Sequence, residues 1–447
     1  MNQESQSTTI LISSSDETIL ERAYLSSTWR IIPLLSLLWL LAWVDRANVA
    51  FAKLQMLSEL HFNEAVYGFG AGMFFIGYSV FVIPSILSLQ KFGARRVIAT
   101  LSIGWGVTSL GMMFVRTPLE FYLLRFLLGS FEAGFYPGVI LYLTYWFPGK
   151  RRTRNFSIFH SAAICSTVVV GLTGAVVLQN MNGFGGLAGW RWMFLIQSIP
   201  TIMLGCLAAL VLADRPASAK WLSSEQKHLV DADLRKDGAQ VSESKEGPWA
   251  QLFTPIIWKL ILVYFCVLCS NAALAFFIPS ILKQAGFGGY ASIGNALAVI
   301  CILGAVVSVG ISFLASRTGL IRWFSAGAAL LTVASLLALV FVWHDNRAAT
   351  FAALVLALGG TGAGISLFWY VPPRLLDGKT AAVGIAFISM FANLAGFFTP
   401  WLTGLTQTVT GHYTSSFVAI ACIQALAAVL ILTVIPATYR GKRLTGH

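Results

Sequence analysis

The chain has 447 residues, of which 57% are hydrophobic and only 11% are charged. An ordinary soluble domain carries about 25% charged residues, so this composition excludes a soluble globular protein and places most of the chain in lipid. The formal net charge of +12 does not indicate nucleic-acid binding, because the basic residues mostly occupy short segments between long apolar runs. Apolar runs of that length also exclude a transmembrane β-barrel.

The beginning of the chain is polar and lacks the basic start and early apolar core of a signal peptide. We expect residues 1–28 to form a disordered cytoplasmic tail. Twelve apolar runs follow, each near the roughly 20 residues that a membrane-spanning helix needs. The predicted spans lie near residues 30–52, 67–89, 95–115, 118–147, 155–180, 191–213, 256–282, 290–315, 320–343, 348–372, 380–403 and 415–436.

A long polar insert divides these spans into six and six. The pattern predicts an all-α membrane protein of 12 transmembrane helices in two six-helix bundles, related as internal repeats. The predicted parts are an N-terminal bundle at 29–213, a cytoplasmic linker at 214–255, a C-terminal bundle at 256–437 and a cytoplasmic tail at 438–447. Lys and Arg are far more frequent in the segments on the side of the chain ends, which places both termini in the cytoplasm.

Two pairs of opposite charges interrupt the apolar runs. Asp45 and Arg46 lie in the first span, and Arg125 and Glu132 lie in the fourth. Each charge at mid-helix opposes insertion by about 2.5–3.5 kcal/mol, which favours a functional role. Seven residues make about two helical turns, so Arg125, Glu132 and Tyr136 share one face of the fourth span.

The sequence offers little that is typical of an enzyme. It contains neither a His-Glu-x-x-His nor a Gly-x-Ser-x-Gly motif, and His160 is the sole histidine within a span. All six cysteines lie in apolar runs, where free thiols serve as small packing residues. We therefore predict a protein that is not an enzyme and has neither a metal site nor a cofactor.

Five short motifs occur in order along the chain. They are Asp45-Arg46-Ala47-Asn48, Lys91-Phe92-Gly93-Ala94-Arg95-Arg96, Arg125-x-x-x-Gly129-x-x-Glu132-Ala133-Gly134-x-x-Pro137-Gly138, Gly189-Trp190-Arg191-Trp192-x-Phe194 and Asp214-Arg215-Pro216-x-x-Ala219-Lys220-Trp221-Leu222. Together they resemble the anion:cation symporter family of the major facilitator superfamily, especially its bacterial tartrate, phthalate and hydroxyphenylacetate permeases. The resemblance covers about residues 29–439 and implies a transporter of the bacterial inner (plasma) membrane.

The resemblance also implies roles for individual residues. The acids at the family's proton-coupling positions are Asp45 and Glu132, and Asn393 matches a substrate-contacting position. The loop after the second span is similar to the gating loop of the superfamily, although Gln90 stands where an acidic residue is common. The gating-loop residues are Lys91, Gly93, Arg95 and Arg96.

Transport of an organic anion through lipid requires a cation that replaces water around the substrate carboxylate. Arg46 and Arg125 are the only arginines well inside spans, and we assign both to this role because a guanidinium binds a carboxylate bidentately. We also expect Arg125 to pair with Glu132 in part of the cycle. Asp45 and Glu132 are suited to exchanging a proton for an arginine partner. Polar and aromatic residues supply the other candidate substrate contacts: Trp43, Tyr136, His160, Asn271, Ser366, Trp369, Tyr370 and Asn393.

Several alternatives remain open at this point. The four charges could form static interhelix pairs, and Trp43 and His160 could be packing residues. The protein could also be an anion exchanger or uniporter without proton coupling, or a sensor that does not transport. Tartrate-like, sugar-acid and aromatic-acid substrates all fit. Our main prediction is proton-coupled uptake of a small organic anion by a monomer surrounded by lipid, with the proton as coupling ion and no nucleic-acid partner.

Overall fold

The computed structural model describes residues 14–238, 254–343, 346–375 and 378–435, in which the regular elements are helices. The α-helices are α1 (Ser14–Leu60), α2 (Glu64–Phe92), α3 (Ala94–Gly111), α4 (Pro118–Glu132), α5 (Phe135–Trp146), α6 (Gly149–Ser161), α7 (Ser166–Asn180), α8 (Gly189–Val211), α9 (Ser224–Gly238), α10 (Pro255–Gln284), α11 (Tyr290–Thr318), α12 (Ile321–Val342), α13 (Arg347–Phe368), α14 (Pro372–Leu375), α15 (Gly378–Ala392), α16 (Ala395–Thr410) and α17 (Thr414–Val434). Short 3₁₀ helices lie at Met112–Phe114, Ala162–Cys165, Phe184–Gly186 and Pro216–Ser218.

The helices account for all twelve predicted spans. Ten helical segments of the described chain are long and apolar enough to cross a membrane. Each of the other two predicted spans is split, 155–180 into α6 and α7 and 380–403 into α15 and α16. Six spans therefore precede α9 and six follow it, which confirms the all-α fold.

The predicted disordered tail, residues 1–28, is wrong from Ser14 onward. There α1 has already begun, and Ala23 and Tyr24 are 0% and 2% exposed. The Tyr24 hydroxyl donates to Asp233 Oδ2 of α9 at 2.8 Å. Helix α9 lies within the segment predicted as a plain linker, and this contact gives both helices a surface on which to bury apolar side chains. Residues 1–13 lie outside the described part of the chain.

Two helices from different halves, α2 and α16, run against each other with their backbones in contact. We call the membrane face at which α1 begins the terminal face and the other the opposite face. A Cβ atom on Gly68 would lie 2.1 Å from the Pro400 carbonyl oxygen, and one on Gly404 would lie 2.1 Å from a carbonyl oxygen of α2. Only glycine allows such an approach. We call this contact, between residues 64–75 and 396–404, the seam.

The core is shared at one face and divided at the other. At the opposite face a single buried cluster joins the halves and includes Phe51 of the first and Phe277 of the second. At the terminal face the halves have separate clusters, one around Trp146 and the other around Phe368. The structure is therefore sealed at the opposite face, and its halves separate toward the terminal face.

A buried cation reinforces the seal. Lys53 Nζ lies 2.6 Å from Glu64 Oε2 and donates to the Tyr413 hydroxyl of the second half at 3.0 Å. That hydroxyl donates to Glu64 Oε1 at 3.2 Å. The ring centres of Tyr67 and Phe277 lie 4.6 and 4.3 Å from Nζ, and only 2% of the Lys53 side chain is exposed. A desolvated ammonium surrounded by rings and a carboxylate holds the two halves together.

We expect Lys53→Met to loosen this seal, because Glu64 then keeps a largely buried carboxylate without its cation. The reporter is Ala273→Cys, a position 7% exposed within the shared cluster, in a chain whose native cysteines are replaced by serine. Labelling by a membrane-impermeant maleimide from the opposite face should become about tenfold faster or more.

Lys259→Met is the matched control, since Lys259 is an exposed lysine at the other end of the same helix, α10, that supplies Phe277. It should leave the labelling rate unchanged. Equal rates in Lys53→Met and in its parent would show that the cation does not hold the seam closed.

Candidate functional site

The fourth span of the first half and the fifth span of each half are interrupted within the membrane, and the fourth span of the second half breaks at its terminal-face end. The breaks lie at Ala133–Gly134 between α4 and α5, at Ala162–Cys165 between α6 and α7, at residues 369–371 between α13 and α14, and at residues 393–394 between α15 and α16. Such breaks free backbone groups and place side chains at membrane depth, and transporters use them to build binding sites. Six predicted site residues lie at or beside these breaks: Glu132, Tyr136, His160, Trp369, Tyr370 and Asn393.

Glycines let α4 approach α2 closely enough to bring its charges to the first helix. A Cβ on Gly129 would lie 1.9 Å from the Phe74 carbonyl oxygen, and one on Gly77 would lie 2.1 Å from that of Phe126. Neither position tolerates a side chain. The glycine at position 129 in the motif around Glu132 thus sets the distance between helices rather than contacting a ligand.

Glu132 forms an ion pair with Arg46 of α1. The Arg46 Nε donates to Glu132 Oε2 at 2.6 Å. The Glu132 side chain is 0% exposed, whereas that of Arg46 is 18% exposed. Water or a ligand entering between the halves can therefore reach the cation but not the acid.

Aromatic rings surround the Arg46 guanidinium. Its central carbon lies 5.0 Å from the Trp43 ring centre, 5.1 Å from that of Phe74 and 5.5 Å from that of Tyr78. Trp39 is a fourth neighbour at 5.7 Å. The electron-rich ring faces stabilise a cation that has lost most of its hydration. Sequence reasoning found Trp43 but missed the other three, because an aromatic residue in an apolar span gives no separate signal.

Arg125 is placed differently from the expectation. It is 1% exposed, and its Nη2 donates to the Ala71 carbonyl oxygen of α2 at 3.3 Å. Its Nε has no hydrogen-bond partner in the described chain. Arg125 does not pair with Glu132 here, because two residues seven apart on a helix are separated by about 10 Å. The expected contact of Arg125 with substrate stays a prediction.

Asp45 is buried beside the same group of charges. Its Oδ1 accepts from the Ser109 hydroxyl of α3 at 2.7 Å and from the Asn48 amide at 3.4 Å. Its Oδ2 and the Oε1 of Glu132 are buried with no hydrogen-bond partner in the described residues. Each carboxylate therefore has one oxygen that accepts no hydrogen bond from the described residues and is available to bind a proton. Ser109 is a contact that the sequence did not single out.

Tyr136 and His160 meet at the edge of this site. The Tyr136 hydroxyl lies 3.3 Å from His160 Nδ1, and the Tyr136 ring stacks on Trp39 with centroids 4.8 Å apart. His160 is exposed and Tyr136 is half-buried. The pair adjoins the aromatic surroundings of Arg46, and its contact with substrate stays a prediction.

The second half contributes neutral polar groups where the seam ends. A Cβ on Gly396 would lie 2.4 Å from the Phe75 ring. Asn393 lies one turn toward the terminal face from Gly396, and Tyr78 lies one turn toward that face from Phe75. Tyr78, which contacts Arg46, thus lies on one side of the point at which the two halves separate. Asn393 lies on the other side.

Other predicted residues of the second half have varied surroundings. Asn271 and Asn393 are half-buried, and neither side chain has a hydrogen-bond partner among the described residues. The Trp369 indole donates to the Tyr264 hydroxyl at 3.1 Å. Ser366 is exposed and donates to the Gly362 carbonyl of its own helix at 3.0 Å. Tyr370 is half-buried.

The predicted gating loop joins α2 to α3 and docks on α8. Gly93 has φ 88°, which favours glycine, and a Cβ there would lie 2.5 Å from Asp214 Oδ1. That oxygen accepts from the Arg95 backbone N–H at 2.9 Å, and Arg95 Nε donates to the Ala209 carbonyl at 2.5 Å. These contacts all lie within the first half, so a gating role for Lys91, Gly93, Arg95 and Arg96 stays a prediction.

Known proteins resemble this chain over nearly its whole length. The family model for the Major Facilitator Superfamily matches residues 35–400. A putative tartrate transporter of Agrobacterium vitis is 39% identical over 91% of this chain and 89% of its own length. The putative metabolite transport protein NicT of Pseudomonas putida is 37% identical over 87% of this chain and 89% of its own. These matches confirm the family indicated by the motifs.

Solved structures agree with the fold. A bacterial homolog of the lysosomal transporter Spinster, inward-facing and occupied, has a TM-score of 0.75 at 15% identity and covers 90% of this chain and 96% of its own. A D-xylose–proton symporter has a TM-score of 0.72 at 14% identity, with 92% and 99% covered. The relatives and these structures are transporters rather than enzymes. The chain thus belongs to the major facilitator superfamily of membrane transporters.

Proposed function

We propose that this protein takes up a small organic anion together with protons by alternating access. The observation that carries the proposal is the ion pair between Arg46 and Glu132, in which the cation is partly accessible and the acid is fully buried. An incoming carboxylate can replace Glu132 as the partner of Arg46. Glu132 then loses its cation in a low-dielectric site, where binding a proton is strongly favoured.

Asp45 is the second proton site in this proposal. It faces the same group of charges and has one buried oxygen without a partner in the described chain. The Ser109 hydroxyl at 2.7 Å holds its other oxygen in place. A rigid carboxylate with one vacant oxygen is suited to binding and releasing a proton without moving.

The relatives support the substrate class, because the Agrobacterium vitis protein is named for the transport of tartrate and the Pseudomonas putida protein for the transport of a metabolite. The ion pair favours symport over obligate exchange. Without substrate, Glu132 neutralises Arg46, so the empty carrier has no uncompensated charge to move when it returns to the other face. In an obligate exchanger, by contrast, the carrier without substrate cannot return to the other face of the membrane.

The orientation follows from the distribution of basic residues. If the terminal face is cytoplasmic, as the positive-inside pattern predicts, the seam closes the outer side and the structure faces the cytoplasm. We therefore propose a bacterial inner-membrane importer, with both termini in the cytoplasm, seen in the conformation that releases substrate.

We expect Glu132→Gln to bind substrate but to lose proton-driven accumulation, because glutamine cannot carry the coupling proton. The measurement is uptake into proteoliposomes of whichever labelled carboxylate the wild-type protein accumulates, with and without an inward proton gradient. Binding to the purified variant should remain within about threefold of wild type, since Arg46 is then free of its competitor.

Glu120→Gln is the matched control on the same helix. Glu120 accepts at the N-terminus of α4 in a capping box, where glutamine serves equally well. Accumulation by Glu132→Gln at the wild-type level would refute its coupling role. Wild-type uptake that ignores the gradient but responds to substrate on the other side would identify an exchanger instead.

Arg46→Ala should weaken binding strongly, because no other described guanidinium at membrane depth is exposed by more than 1%. Losing a charge-assisted bidentate contact corresponds to a weakening of roughly tenfold to a hundredfold. Titration calorimetry on the purified protein measures it. Arg116→Ala, at an exposed arginine just before α4, should bind as wild type. Wild-type affinity in Arg46→Ala would place the anion site elsewhere.

A further inference from the structure

The site offers one accessible cation rather than two. Arg46 has 18% of its side chain exposed, while Arg125 is 1% exposed and donates to a backbone carbonyl of α2. The guanidinium carbon of Arg125 lies 5.1 Å from the Phe74 ring centre. Arg46 lies at the same distance from that ring. The ring of Phe74 is therefore shared by both cations, and only Arg46 faces the space between the halves.

Among the side chains that the structure describes, the second half does not supply another cation to this space. Its Lys and Arg residues whose side chains are described all lie near helix ends: Lys259, Lys283, Arg317, Arg322 and Arg347. Two of these side chains are already hydrogen-bonded. Lys283 donates to the Leu54 carbonyl at 3.0 Å, and Arg322 donates to the Leu432 carbonyl at 2.6 Å. The groups placed to meet a ligand in this half are the neutral amides of Asn271 and Asn393.

The formal charges at the site also fit a single negative charge. Asp45, Arg46, Arg125 and Glu132 sum to zero when all are ionised. One carboxylate entering with one proton leaves that sum unchanged. A proton on Asp45 would balance the charge of a dicarboxylate, but its second carboxylate would meet no exposed cation among the described side chains at this depth, and a carboxylate buried without one is costly.

The surfaces beside Arg46 are those of rings. Trp43, Tyr78 and Tyr136 are half-buried, so each of these residues keeps some accessible surface. Trp369, which is half-buried and in edge-to-face contact with Tyr264 at 5.0 Å, provides a ring in the second half. A flat aromatic body gains from stacking on such faces. A polyhydroxylated body would instead need a hydrogen-bond partner for each hydroxyl.

From these observations we infer that the substrate is a planar aromatic monocarboxylate, bound by Arg46 through its carboxylate and by Trp43 through its ring. The inference rests on the proposed function, because it assigns the anion site to Arg46. It makes Trp43 a specificity-determining residue and sets this protein apart from relatives named for tartrate.

The test compares benzoate with tartrate on the purified full-length protein by titration calorimetry. Benzoate should bind at least about tenfold more tightly. Trp43→Leu, which keeps an apolar side chain but removes the ring, should weaken benzoate binding roughly two- to tenfold. Trp43→Phe should restore most of the affinity, and Trp323→Leu, at a tryptophan 61% exposed on α12, should change nothing.

Tighter binding of tartrate, or benzoate affinity unaffected by Trp43→Leu, would overturn the inference. Uptake into proteoliposomes separates it from the proposed function. If tartrate accumulates in response to the proton gradient and benzoate does not bind, the aromatic substrate is rejected and the proposal of symport stands. Benzoate binding that depends on Trp43, with uptake indifferent to the proton gradient, keeps the substrate class and rejects proton coupling.

Discussion

The contact of 2.6 Å between Arg46 and Glu132 imposes the main constraint on the first half of this protein. Charges at membrane depth are costly unless they pair with each other or with backbone carbonyls, and Arg46 and Glu132 compensate each other at close range. Helices α1, α2 and α4 must therefore pack closely, which explains why Gly129 allows backbone contact between α2 and α4. Rings around the guanidinium replace the water that it has lost. The helix is interrupted directly after Glu132, at the level of its ion pair with Arg46.

The remainder of the site follows from the repeat of interrupted spans. The fourth span of the first half and the fifth span of each half break at membrane depth, and among the side chains that the structure describes beside these breaks, the buried charges belong to the first half. The two halves therefore contribute different chemical groups to the site. In the proposed mechanism, one supplies the cation and the proton sites, and the other supplies amides and rings. The contact at the opposite face uses a separate ion pair, Lys53 with Glu64, which shares no charge with the pair of Arg46 and Glu132.

Much of this was predictable from residue types. Long apolar runs predict the spans, and unexpected charges such as Asp45 and Glu132 mark the site because lipid penalises them. The choice of partners was not predictable. The sequence spacing suggested Arg125 for Glu132, whereas the structure pairs Glu132 with Arg46, 86 residues away. Lys53 also carried no signal, since a lysine near the end of a span commonly extends its amine to the interface.

The sequence by itself determined the number and order of the spans, the family, and which residues bear the buried charges. These depend on the transfer of each side chain between water and lipid, a property that is local to the residue. Only the tertiary structure decided that Arg46 is accessible and Arg125 is not, that α1 continues to Ser14 against α9, and that the seam is closed at one face. Those outcomes depend on the distances between helices far apart in the chain, which glycine contacts and ion pairs fix only when the helices pack.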